Sequence, residues 1–217
     1  MRISPRTARA TLAVLSCVSV HAMAAEVYGG AATTGVELGV GQTFAERFGL
    51  RLEGNSLNLT RNFSTSDVQY DAKVKFGNAG VFADVFIARG FRLTAGALVG
   101  DRGIHGVARS VGNTIQLNGV AYPVAAGDSL NFEAKFPTVS PYIGLGWGHQ
   151  PSATAGLQFY ADVGVAIGRP EVTFSPSASL AAKVNPSDLA SEQASAQDKA
   201  NSYRNYPVVK IGLLYAF

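Results

Sequence analysis

The sequence predicts an all-β fold, an eight-stranded antiparallel transmembrane β-barrel with short turns at one end and long loops at the other. Three observations support this prediction. The chain of 217 residues divides into segments in which apolar side chains alternate with polar or small ones, so each strand has one apolar face. These segments run for about 9 to 11 residues, the length of a tilted strand that crosses the hydrocarbon layer. Short and long connections alternate between them, as in membrane barrels.

Residues 1–24 have the three parts of a secretory signal peptide. A start with three arginines is followed by an apolar stretch at 10–20 and by a small-x-small cleavage sequence, AMA, that ends at Ala24. We therefore expect export, with residues 25–217 forming one barrel domain. A short buried helix is the alternative interpretation of this leader.

Removal of the leader also removes the positive net charge. The chain has 18 Lys and Arg against 15 Asp and Glu, and three of its arginines lie in the leader, which leaves 15 of each sign. A nucleic-acid-binding surface needs clustered positive charge, so we expect no nucleic-acid partner. The single cysteine, Cys17, also lies in the leader, which excludes a disulfide framework.

The first four strands are predicted from the start of the mature chain. EVYGGAATT alternates poorly, but it is assigned as the first strand because single-chain bacterial barrels have an even number of strands. GVELGVGQTF follows and has Glu37 on its polar face. FGLRLEGNSL has Arg51 and Glu53 there, and NAGVFADVFI has Asp84.

The last four strands repeat the pattern. FRLTAGALVG places Arg92 opposite an apolar face, and SPYIGLGWG sets glycines against the side that carries Trp147. LQFYADVGVAIG places Asp162 among small residues. YPVVKIGLLYAF has Lys210 on its small face and ends on Phe217, which suits a strand that closes a barrel at the periplasmic rim of the lipid face.

Two stretches have their apolar side chains on the opposite parity, VQYDAKVKFG and LNFEAKF. One explanation is a bulge near Gly77 and Pro137, which would shift the register. The other is that these stretches project above the bilayer, where the parity no longer has to match. We favour projection, because lysines such as Lys73 and Lys75 would each cost about 2 to 4 kcal/mol on the lipid face at mid-bilayer.

The predicted connections are of two kinds. Short periplasmic links are expected at 45–47, 88–90 and 148–153, and long extracellular loops at 60–67, 109–129 and 175–203. Within the last loop, Asn185 as cap and Pro186 at the first position predict a marginal helix over 185–202. This helix either caps the mouth of the barrel or lies in a solvated loop.

Two sets of side chains follow from the alternation. The charged residues of the polar faces are expected in the lumen, where they form either a salt-bridged plug or a path for cationic solutes past Glu37, Glu53, Asp84 and Asp162. This lumen set is Glu37, Arg51, Glu53, Asp84, Arg92, Asp162 and Lys210. Aromatic side chains beside the short links are expected to form a lipid-interface girdle. They are Phe44, Phe48, Phe91, Trp147, Phe159, Tyr215 and Phe217.

Four motifs carry a resemblance to a known family: GGAATTGVELGVG, SPYIGLGWGHQ, FYADVGVAIGRPEVTF and the terminal YPVVKIGLLYAF. Over nearly the whole mature chain they resemble the small outer-membrane barrels of the CarO type, the ornithine-uptake or carbapenem-susceptibility porins. The resemblance implies an eight-stranded barrel with a role in the passage of small, often basic, amino acids. The terminal strand also resembles the aromatic signal that the barrel-assembly machinery reads.

These predictions define the expected function. We expect a monomer in the outer membrane of a Gram-negative bacterium that contacts lipid and the assembly machinery and forms a narrow, low-conductance channel for small solutes. The alternative is a closed barrel that acts through its extracellular loops. His105, Asp101 and Ser110 match no nucleophile motif, so we expect no enzyme and no catalytic, cofactor-binding or metal site.

Overall fold

The computed structural model describes residues 25–44, 47–64, 68–88, 90–110, 113–125, 127–150 and 155–217. The predicted signal peptide lies outside these residues, as do parts of all three predicted short links. No helix in the described part of the chain has the length and apolar character needed to cross a membrane.

Strands dominate the described residues, and two helices occur near the C-terminus. The strands are β1 (Ala25–Ala32), β2 (Gly35–Phe44), β3 (Phe48–Ser64), β4 (Val68–Ala88), β5 (Phe91–Ser110), β6 (Thr114–Leu117), β7 (Val120–Pro123), β8 (Leu130–Lys135), β9 (Val139–Trp147), β10 (Gly156–Ile167), β11 (Glu171–Pro176) and β12 (Asn205–Ala216). The helices are α1 (Ala178–Ala181) and α2 (Pro186–Asn201).

Eight strands form a closed antiparallel ring in the order β1, β2, β3, β4, β5, β9, β10 and β12. The first and last strands close it, with Glu26 opposite Ala216 and Ala32 opposite Lys210. The predicted eight-stranded barrel is confirmed, including the first strand that the sequence indicated only weakly.

The outer surface of the ring is apolar, as lipid contact requires. Most large apolar side chains on the outward parity of the ring strands are exposed, including Leu38 at 70%, Leu145 at 60% and Val163 at 61%. In water this surface would be a large hydrophobic patch. In a bilayer it is the face that stabilises insertion.

Three ring strands extend well beyond the membrane. β3, β4 and β5 have 17, 21 and 20 residues, about twice what a crossing needs. Above the ring they are joined by β8 and β11, which gives a five-stranded sheet in the order β3, β4, β5, β8, β11; we call it the extension. The predicted loop at 60–67 is therefore wrong in part, because β3 continues to Ser64 and β4 begins at Val68.

The register is continuous at both places where a bulge was considered. In β4, Asn78 lies opposite Asn55 on one side and Gly100 on the other, with no shift. The pairs Gly103 with Lys135 and Val99 with Val139 belong to one register. The same parity faces inward throughout, so the change in side-chain polarity reflects projection above the bilayer. The irregularity in β4 lies lower, between Phe86 and Ala88.

The remaining two predicted loops fold into a cap over the extension. The hairpin β6–β7 lies within the predicted loop at 109–129, and both helices lie within the one at 175–203. The cap has its own apolar core, which includes side chains from β5 and β8 of the extension. Its buried residues are Ala108, Ile115, Leu117, Leu130, Leu180 and Val184.

Candidate functional site

The predicted lumen residues all lie inside the barrel, because the alternation of each strand turns its polar parity inward. Their exposed fractions are between 0 and 5%. An eight-stranded barrel has an interior only just wide enough for side chains, so these groups must contact one another. They separate into two clusters along the axis.

The first cluster is a lattice of two arginines and two aspartates from four different strands. Arg51 Nε lies 2.5 Å from Asp84 Oδ2, and Arg51 Nη1 lies 3.2 Å from Asp162 Oδ2. Arg92 Nε lies 3.3 Å from Asp84 Oδ1, and Arg92 Nη2 contacts Asp162 Oδ1. Each guanidinium group thus bridges both carboxylates, and the cluster is neutral as a whole. Thr94 Oγ1 donates a further hydrogen bond to Asp84 at 2.5 Å.

The second cluster places Lys210 between two glutamates. Its ammonium group contacts Glu53 Oε1 and lies 3.6 Å from Glu37 Oε2. Two tyrosines donate to the same carboxylates: Tyr28 OH to Glu53 Oε2 at 3.2 Å, and Tyr160 OH to Glu37 Oε1 at 2.5 Å. The desolvation of three charges is thus offset by ion pairs and hydroxyl donors.

Further buried groups occupy the lumen below and above these clusters. At the periplasmic end, His149 Nδ1 contacts Glu26 Oε1, and the His149 side chain is 1% exposed. Toward the extracellular end, Phe82 and Tyr142 pack edge to face with ring centroids 5.1 Å apart. Glu26 is not among the predicted lumen residues, although it has the same inward parity as the buried Tyr28.

Glycines on the inward parity make room for the aromatic and arginine side chains. A Cβ atom at Gly164 would collide with the hydroxyl of Tyr142, and one at Gly146 would collide with the Asp162 carboxylate. Strand glycine commonly marks such a close approach. The polar parity therefore mixes charges and glycines because the large inward side chains need the space.

The predicted girdle aromatics lie on the outside near the short links. Six of them are between 41 and 69% exposed, while Phe44 is half-buried. Phe44 lies opposite Phe48 in the β2–β3 pair, and Phe91 lies opposite Trp147 in the β5–β9 pair. Aromatic side chains beside the short links are well placed for the periplasmic membrane interface, where such rings are commonly found.

Glutamines of α2 cover the free edge of the extension. Gln193 Oε1 accepts from the Phe174 backbone N–H at 3.1 Å, and Gln197 Oε1 accepts from the Val172 N–H at 2.8 Å. Gln193 and Gln197 are one helical turn apart and match the two-residue spacing of edge amides in β11. The helix is thus held by polar contacts to a strand edge, which would otherwise be open to pairing.

Carboxylates of α2 also fix the hairpin. Tyr122 OH donates to Asp188 Oδ2, which lowers the pKa of Asp188 and raises that of Tyr122. Asn118 of the hairpin turn donates its backbone N–H to Glu192 Oε2 at 2.8 Å and its amide to Asp188 Oδ1 at 3.2 Å. The helix and hairpin form one body through these bonds.

A third contact joins α1 to the loop after β7. Asp128 accepts from Lys183 Nζ at 2.6 Å, from the Ala125 N–H at 2.8 Å and from the hydroxyl of Ser179. These hydrogen bonds, that of Lys183 first, lower the pKa of Asp128 to about 2. The carboxylate is therefore charged at any ordinary pH.

Two of the three residues considered above for catalysis form separate contacts on the extension. His105 Nδ1 lies 3.6 Å from Glu133 Oε1, and Asp101 Oδ1 lies 3.6 Å from Lys135 Nζ. Both pairs lie on the outward face of the extension. His105 and Asp101 therefore have different partners.

The closed ring, its apolar exterior and its polar interior define the class of this protein as an outer-membrane β-barrel. Two solved structures from Acinetobacter baumannii are similar to it. CarO2 has a TM-score of 0.62 at 19% identity and covers 91% of this chain and 100% of its own. CarO has a TM-score of 0.59 at 19% identity and covers 88% of this chain and 97% of its own.

These similarities show that the chain has the fold of the CarO-type barrels. The resemblance seen in the sequence is thus confirmed at the level of fold. No protein-family model matches the chain, and no curated protein sequence matches it.

Proposed function

We propose that this protein is an outer-membrane barrel, closed to free diffusion, that acts at the cell surface through its cap. The observation that carries the proposal is the lattice of Arg51, Arg92, Asp84 and Asp162, each at most 3% exposed and each paired with two opposite charges. Breaking a buried pair leaves an uncompensated charge and costs about 3 to 5 kcal/mol. An aqueous path would need several such pairs to separate together.

The proposal includes a cellular setting that features of the sequence support. The leader at 1–24 directs export, and the aromatic terminal strand that ends at Phe217 is the signal for the assembly machinery. The apolar exterior contacts lipid of the Gram-negative outer membrane, and the proposed working form is a monomer, whose ring needs no strand from a second chain. The cap then faces the medium.

A second candidate is a narrow, low-conductance channel for small solutes such as basic amino acids. The succession of carboxylates along the lumen favours it, from Glu26 at the periplasmic end through Asp162 and Asp84 to Glu53 and Glu37. Rings and columns of acidic side chains select for cations in channels. Side chains rather than a backbone segment fill this path in the described part of the barrel, and side chains can exchange partners.

Planar-bilayer recording of the refolded protein separates the two candidates. A closed barrel gives no current above a protein-free bilayer, and vesicles that contain it swell in glycine, ornithine and arginine no faster than empty vesicles. The double variant Arg92→Ala/Asp162→Ala removes one charge of each sign from the lattice and should conduct, which shows that the assay detects an opened lumen. Current or uptake with the unaltered protein would remove the closed barrel and support the channel.

A further inference from the structure

The cap and the extension form a partly open cleft, lined by apolar side chains together with Thr114, Gln116 and Glu192, that the closed-barrel proposal does not assign. Its volume is about 640 Å³, within the range of about 300 to 1,000 Å³ typical of small-molecule sites. It lies between the inward face of the extension, the β6–β7 hairpin and α2. The apolar side chains that line it are chiefly Ile115, Leu117, Leu130, Phe132, Val172 and Phe174.

One charged group faces this lining. Of the described residues that line the cleft, Glu192 is the only one with a charged side chain. Glu192 Oε2 accepts the Asn118 backbone N–H, which fixes the carboxylate, and no positively charged side chain pairs with Glu192 in the described part of the chain. A half-buried carboxylate attracts a cation through its charge, and the faces of the aromatic side chains that line the same cleft add to this attraction.

We propose that this cleft binds a small amphipathic amine, with the apolar body among the side chains of the lining and the ammonium group at Glu192. The apolar area provides most of the affinity, and the carboxylate provides the selection by charge. The lining belongs to the cap and the extension, beyond the membrane-spanning ring, so an extracellular ligand reaches the site without crossing the membrane. The lumen plays no part in this binding.

This inference rests on the proposal that the cap is the working surface, but the two fail separately. Current through the unaltered protein would remove the closed barrel and leave a measured amine affinity intact. Absence of amine binding to a protein that carries no current would remove the inference and leave the closed barrel intact.

The test is titration calorimetry with the full mature chain in lipid nanodiscs, and empty nanodiscs as the blank. The probes are 4-phenylbutylamine, the neutral 4-phenylbutanol and the anionic 5-phenylpentanoic acid, which share the same phenylbutyl group. We expect the amine to bind more tightly than the alcohol and the acid to bind most weakly. Glu192→Gln keeps an acceptor for Asn118 and should weaken amine binding about fivefold, the effect of one partly exposed ion pair.

Substitutions on α2 supply matched controls. Ala196 lines the cleft, so Ala196→Phe should fill it and abolish binding of the amine and the alcohol. Ala194→Phe and Asp198→Asn change exposed positions of the same helix and should leave the affinity unaltered. Equal affinity for all three probes, or an unaltered amine affinity in Glu192→Gln or Ala196→Phe, would overturn the proposal.

Discussion

The barrel wall and the extension share the strands β3, β4 and β5, yet the polarity of their two faces is inverted. In the lower half of β4, Asp84 faces inward and Val81 faces outward; in the upper half, Tyr70 faces inward toward the cap and Lys73 faces outward. The register between the two halves is continuous. The direction of a side chain is therefore set by the strand, while its polarity is set by the solvent at that height. Lipid around the ring requires apolar side chains on the outward face. Water around the extension permits apolar side chains on the inward face, which the cap covers.

The largest test of this contrast compares two aspartates of β4. Asp84→Ala leaves Arg51 and Arg92 short of a buried carboxylate and should destabilise the barrel by about 3 to 5 kcal/mol. Asp71→Ala removes a partly exposed partner of Arg109 on the outer face of the extension, and should cost at most about 1 kcal/mol. Urea-dependent unfolding in lipid vesicles, followed by heat-modifiable gel migration, measures both. Similar losses of stability in the two variants would show that burial does not make the ion pairs of Asp84 stronger than that of Asp71.

A second test exchanges the outward residues of the same strand. Val81→Lys places an ammonium group on the lipid face and should cost about 2 to 4 kcal/mol if the residue lies at the bilayer midplane. Lys73→Val changes a water-facing position and should stay within about 0.5 kcal/mol. The same unfolding assay applies. A clear gain in stability with Lys73→Val together with a small loss for Val81→Lys would place the membrane at the extension instead.

The alternation of the strands predicted the side that each residue faces, but it did not predict partners. Glu37, Arg51 and Lys210 were placed inside from parity alone. The contact of Arg51 with Asp162 joins positions 111 residues apart, and only closure of the ring brings them together. The periodicity of the sequence does not show which of the inward-facing charged side chains form ion pairs with one another.

The cap was harder to predict for a different reason. The helix-start residues Asn185 and Pro186 and the composition of the segment indicated a helix. The structure has one at Pro186–Asn201, with Asn185 Oδ1 accepting from the Ser187 N–H at 3.1 Å. Its docking depends on single polar contacts such as Asp188 with Tyr122. Such contacts leave no periodic pattern in either segment. A helix with one large apolar residue therefore looked like part of a solvated loop.

A third, smaller effect is expected at the edge that α2 covers. Gln197→Ala and Gln193→Ala each remove one hydrogen bond to a β11 amide, worth about 1 kcal/mol. Hydrogen exchange at Val172 and Phe174 should then rise about fivefold, the change that corresponds to this energy. Ser195→Ala, at an exposed position of the same helix, is the control and should leave both amides unchanged. Unaltered exchange in the glutamine variants would mean that the helix does not protect the edge.

The smallest effect concerns pH and the contact of Asp128 with Lys183. The pKa of Asp128 is lowered from its ordinary value of 3.8 to about 2, so the contact contributes fully above the ordinary value and is lost as the pH falls through about 2. Amide exchange at Leu180 should accordingly be independent of this group from neutral pH to about pH 4 and should increase below it. Lys183→Ala removes the main cause of the lowered pKa and should move this increase to higher pH. The ion pairs of the lumen lie in the ring and not in the cap. The pH dependence of barrel migration on gels should therefore differ from that of Leu180 exchange. A shared curve for Leu180 exchange and barrel migration would show that cap and barrel unfold as one unit, which would contradict the division of the molecule into two differently stabilised halves.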